Sequence, residues 1–191
     1  MTMPAPRRFV RQAILFEGSL AVVALAVGWF LPTPPWRQIH WTWQAAAEGA
    51  AAAVPLLAAM LALRSVSIGP FGRLNRLVDQ LIVPLFTGCR IVDFAVIAIV
   101  AGFGEELLFR GVIQAALANW LDVTAAIAIA SLLFGAAHVI TPTYAVLAAL
   151  IGAYLGWLKI YSADLLAPIV THAVYDFAAL VYLTRGKHES R

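Results

Sequence analysis

A chain of 191 residues that is 62% hydrophobic and only 12% charged is not composed like a soluble domain, for which roughly 45–50% apolar and about 25% charged residues are usual. The same apolar excess excludes disorder, and a single cysteine, Cys89, excludes both an intramolecular disulfide framework and a cysteine-clustered metal site. A spanning helix takes about 20 apolar residues, so the length suits about six spans with short connections and predicts one polytopic membrane domain over residues 1–191.

The first apolar run, Gln12 to Leu31, follows Arg7, Arg8 and Arg11 and ends at Pro32, Pro34, Pro35 and Trp36. It is too long for the core of a secretory signal and lacks a small-residue cleavage site, so it reads as a retained first helix. The stretch Trp36 to Trp43 then sets three tryptophans where an interfacial aromatic belt would hold them. A second helix is predicted from about Ala45 to Leu63. Between Ser65 and Arg90, Arg73, Arg76 and Asp79 alternate at helical spacing with Phe71, Leu74, Leu77, Val78, Leu81 and Ile82. This pattern predicts an amphipathic segment lying in the interface. The third span starts near Ile91 and carries GFGEELLFRG at its middle and end. The fourth runs over Val123 to Ile140 and stops at Thr141-Pro142, the fifth covers Tyr144 to Ile160, and the sixth Leu165 to Leu183. The predicted fold class is therefore all-α, a polytopic bundle of about six transmembrane helices plus one interfacial helix.

With the N-terminus inside, the inner segments hold Arg7, Arg8, Arg11, Arg64, Arg73, Arg76, Arg90, Arg185, Lys187 and Arg191, ten of the 13 basic residues. The outer loops hold only Arg37 and Lys159, the bias expected for a multi-pass protein with both termini in the cytoplasm. The net charge of +3 is thus a topology signal. Membrane lipid is the expected surrounding, and no basic stripe points to nucleic acid.

An ionisable side chain in hydrocarbon costs a few kcal/mol and needs a reason. Glu17, Glu48, Asp93 and Asp164 are predicted close enough to helix ends to reach the interface. Glu105, Glu106 and Arg110 lie deep in an apolar run. Glu106 and Arg110, four apart, share a helix face and can pair, which leaves Glu105 about 100° away with no local partner. His138 sits near the end of the fourth helix. His172 and Asp176, again four apart, can form the bond that fixes an imidazole in one tautomer. Each polar group alone is compatible with a packed, satisfied core residue. Their joint occurrence on three helices predicts a shared site.

A carboxylate beside a neutral imidazole can deprotonate water, and a second imidazole can stabilise an oxyanion. Glu105, His138 and His172 could instead hold a zinc ion with an open position. Both routes lead to hydrolysis of an amide in or near the bilayer. Two further readings use the same residues: a proton-coupled carrier with a Glu/His relay, and a non-catalytic protein that sequesters a hydrophobic peptide.

The ordered motifs Glu105-Glu106-Leu107-Leu108-Phe109-Arg110, Phe134-Gly135-Ala136-Ala137-His138 and His172-Ala173-Val174-Tyr175-Asp176 resemble those of the CPBP family, the CAAX proteases and bacteriocin-processing enzymes of the Abi group. The resemblance covers about 102–176. It implies an intramembrane endopeptidase acting on a protein or peptide that enters the bilayer cavity, in a compact, bacterial plasma-membrane form. It further implies that Glu105 is the general base working with His138, that His172 lines the oxyanion side with Asp176, and that Glu106 and Arg110 support them. No cofactor is favoured. The prenyl-protein members carry Asn where this chain has Asp176, and an ionised carboxylate would repel an oxyanion, so either Asp176 is protonated, or it only orients His172, or the metal reading gains ground.

Overall fold

The computed structural model describes residues 6–185 of the chain. Lys187, Arg191 and the termini, on which part of the charge argument rests, lie outside the described residues. Every described element is helical. Helix α1 spans Pro6–Gly28 and α2 spans Trp43–Arg64. The latter begins at a Thr42 cap whose hydroxyl accepts from the Ala45 amide at 3.2 Å. Helix α3, Gly69–Leu77, runs on through a π turn at Val78–Ile82 and a 3-10 turn at Val83–Phe86. Helix α4 starts at Ile91 and continues as one rod to Leu117. Helices α5 (Val123–Ala137), α6 (Pro142–Ser162) and α7 (Leu166–Arg185) complete the bundle.

The all-α polytopic prediction holds, with differences in detail. Helices α1, α2, α6 and α7 are each long and apolar enough to cross a membrane, and the segment through α3 plus α4 forms a pair bent by 110° that makes a fifth crossing if it is one span, so four to five spans replace the six expected. The fourth predicted span, α5, is shorter than drawn. It has 15 residues because the chain leaves the helix at His138, two residues before Ile140, ahead of Pro142. Helix α1, by contrast, starts six residues earlier than predicted, at Pro6 rather than Gln12. Lys159, assigned to an outer loop, lies in the last turn of α6.

Helix α4 is the central element and packs against both α1 and α7, while α2 lies on α7 and α6 on α5. In hydrocarbon, apolar side chains gain little by leaving lipid, so helices associate through close backbone approach and interhelical hydrogen bonds. Gly49 shows both. A Cβ there would sit 2.5 Å from the Ala167 carbonyl oxygen and 2.8 Å from Val170 Cβ. The contact it permits lets Thr171 Oγ1 donate to the Gly49 carbonyl at 2.8 Å. Gly49→Ala is therefore expected to force α2 off α7 and lower stability by about 1–3 kcal/mol. The measurement is the thermal midpoint of the detergent-purified protein, which would stay unchanged if the helices could part freely.

Within α4, residues Leu107–Gln114 are wound as a π segment. Such widened turns leave backbone carbonyls to be satisfied from elsewhere. Side chains from two other parts of the fold respond. Lys159 Nζ donates to the Arg110 carbonyl at 2.8 Å and Gln38 Nε2 to the Gly111 carbonyl at 2.9 Å. Gln114, itself on the segment, donates through Nε2 to the Gly156 carbonyl on α6 at 3.1 Å. The widened turn is thereby locked between α6 and the loop after α1.

Candidate active site

Because α4 runs seven residues beyond Arg110, the EExxxR segment lies well inside the bundle rather than near a helix end. Glu105, Glu106 and Arg110 are all buried, at 6%, 0% and 1% relative exposure, and none of them reaches water by lying at an interface. Short α5 ends at the same depth, and its capping residue is His138. The deeper α4 and the shorter α5 are what bring the first two motifs together.

His138 Nδ1 lies 2.8 Å from the Phe134 carbonyl oxygen. A carbonyl only accepts, so Nδ1 carries the proton, and in the neutral ring Nε2 presents a lone pair. That nitrogen lies 3.5 Å from Glu105 Oε2. Two basic atoms thus face each other at a separation too long for a good direct hydrogen bond.

Glu106 is the second hub. Its Oε1 accepts from Arg110 Nη1 at 3.0 Å and from His172 Nδ1 at 2.8 Å. The predicted Glu106–Arg110 pair is present, but Glu106 is more than its counter-ion. The spacing on α7 assigned the orienting of His172 to Asp176, whereas the short bond to the ring comes from Glu106. Asp176 Oδ2 stands 3.5 Å from His172 Nε2. The reason is geometric: a contact between α4 and α7 has no sequence periodicity to announce it. Arg110 is held at three points, since Nη2 also donates to the Gly152 carbonyl at 3.0 Å and the guanidinium lies 4.4 Å from the Phe134 ring centroid.

Phe134 sits at the centre of these groups. Its ring is 4.3 Å from that of His138, 6.1 Å from that of His172 and 5.0 Å from Phe109. One aromatic side chain on α5 therefore neighbours both imidazoles. Among the described residues, no three His, Cys, Asp or Glu side chains are gathered as a metal ion requires. His138 and His172 each belong to a different carboxylate, so the zinc set Glu105, His138 and His172 does not fit this arrangement.

The four residues read as interfacial behave differently from one another. Asp93 pairs with Arg90 at the start of α4, with a shortest distance of 3.1 Å. Glu48 accepts from Gln44 at 3.0 Å on an exposed face of α2. Asp164 Oδ1 caps α7 by accepting from the Leu166 amide at 2.8 Å. Glu17 lies instead at the midpoint of α1, its Oε2 buried and without a hydrogen-bond donor among the described residues. The earlier start of α1 moved it away from the helix end.

Fold and site together define an integral membrane protein of all-α polytopic build with a buried centre of two acid–imidazole pairs. Residues 87–178 match the family model described as Rce1-like, the type II CAAX prenyl endopeptidase Rce1-like family. The matched segment contains all three motifs and bears out the resemblance to CAAX-type proteases. The match supports an intramembrane endopeptidase in general. No curated protein and no solved structure matches the chain.

Proposed function

We propose that this protein cleaves a peptide bond of a membrane-associated protein or peptide precursor, with Glu105 and His138 activating the attacking water. The observation that carries this reading is the 3.5 Å gap between Glu105 Oε2 and His138 Nε2, both able to accept from the same water molecule. Glu105 takes the proton of the water and returns it to the leaving amine, while Nε2 of His138 fixes the direction of attack. His172 stands on the oxyanion side. Its Nδ1 donates to Glu106 at 2.8 Å, and Nε2, 3.5 Å from Asp176, is the nitrogen left to offer an N–H to the developing charge. Asp176 in this reading holds the ring and does not itself bind the oxyanion. Arg110 holds Glu106 in place. The surrounding is a bacterial plasma membrane with both termini on the cytoplasmic side, in line with the distribution of Arg and Lys. A carrier or a peptide-sequestering protein gains no support from the family match.

The test is a comparison of membrane proteomes from cells making the wild type and cells making His138→Ala. A precursor that is shortened only with the wild type is the expected result, with a loss in the variant of about 10²–10⁴-fold in cleavage rate. Equal processing in both would remove His138 from the chemistry.

A further inference from the structure

The segment that carries the family match begins at residue 87, yet a carboxyl group from α1 enters the same centre. The residue before Glu105 makes this possible. Gly104 faces α1 so closely that a methyl group in its place would run into the Glu17 carbonyl oxygen. With the two backbones in contact, the Glu17 and Glu105 side chains meet and are within hydrogen-bonding reach of each other. Both end in a buried Oε2 that finds no hydrogen-bond donor among the described residues. Glu105 is 6% exposed. The other titratable groups whose charge acts on Glu17 are His138, at the end of α5, and Asp176, on α7. Glu106, Arg110 and His172 lie in the same centre.

Two carboxylates in contact away from water repel each other, whereas one proton between them makes one the donor and the other the acceptor. We propose that Glu17 is a positioning residue of the active site, holding Glu105 through a single proton shared by the two carboxyl groups. The pair then carries one negative charge. Glu105 is kept facing His138 with its basic oxygen free, and Glu17 stays out of the reaction. The activity arm of the following test rests on the endopeptidase reading; the spectroscopic arm does not.

The infrared spectrum of the purified wild type is expected to show the carbonyl stretch of a protonated carboxyl group. That band is lost in Glu17→Gln and lost or displaced in Glu105→Gln. A band unaffected by either substitution, or absent from the wild type, overturns the proposal. In cleavage of the precursor found by the proteome comparison, Glu17→Leu is expected to lower kcat about tenfold or more with KM within about twofold. Glu17→Gln, whose amide can donate to Glu105 in place of the shared proton, restores most of that loss. Full activity in Glu17→Leu also overturns the proposal. Should the leucine variant fail to fold, the glutamine spectrum still decides. Should the wild type cleave nothing while the band behaves as stated, the peptidase reading fails and the shared proton stands.

Discussion

Glu105→Gln should abolish cleavage, by about 10²–10⁴-fold or more in kcat, while the protein still inserts and purifies as a single species. The substitution keeps size and shape but removes the basic oxygen that faces His138 Nε2 across the 3.5 Å gap. The carboxamide cannot take a proton from water. Its NH2 group could instead donate to His138 and occupy the lone pair that helps to aim the nucleophile. Stability should change little, because the amide offers a hydrogen bond to Glu17 where there had been a second acid. Cleavage of the identified precursor, together with gel filtration of the purified variant, checks both halves of this expectation. Retained turnover would move the role of base away from Glu105.

Arg110→Met should have the largest effect on stability, roughly 3–5 kcal/mol. Both members of the Arg110–Glu106 pair are essentially inaccessible, at 1% and 0% side-chain exposure. Removing the cation strands a carboxylate that already has one buried oxygen, Oε2, without a donor among the described residues. It also opens the hydrogen bond to the Gly152 carbonyl. Methionine approximates the lost stem, so the loss is electrostatic rather than a cavity. The double variant Glu106→Gln/Arg110→Met should recover more than half of the deficit, since neutral partners carry no such desolvation debt, and the glutamine oxygen can still accept from His172 Nδ1. Thermal midpoints of the three proteins in one detergent measure this. A double variant no better than Arg110→Met would mean that packing on Phe134, 4.4 Å away, outweighs charge.

The all-helical class was legible because long apolar runs between breakers leave few alternatives in a bilayer. The Glu106–Arg110 pair was legible because i,i+4 spacing is local. What the sequence withheld was every relation between helices. Glu106 reaching His172, and Phe134 neighbouring both imidazoles, depend on how rods are rotated about their axes, which hydropathy does not encode. The depth of His138 relative to Glu105 was obscured by helix ends: α4 proved longer and α5 shorter than the apolar runs suggested. Glu17 was visible as an acid in an apolar run, but an N-terminus drawn at Gln12 instead of Pro6 disguised a mid-helix residue as an interfacial one. The π winding of Leu107–Gln114 had no sequence signal, since the Gln38 and Lys159 side chains that satisfy its carbonyls come from outside the helix.

The brevity of α5 has a consequence for the lipid. Fifteen residues make a rod about 22 Å long, about 8 Å less than the hydrocarbon thickness of an ordinary bilayer. The leaflet over its end must dimple, or the polar turn from His138 to Thr141 must lie submerged. In the first case headgroups and water come nearer to the imidazole at His138 than beside any full-length neighbour, and the acid–imidazole centre is wetted from a dent in the membrane surface rather than through hydrocarbon.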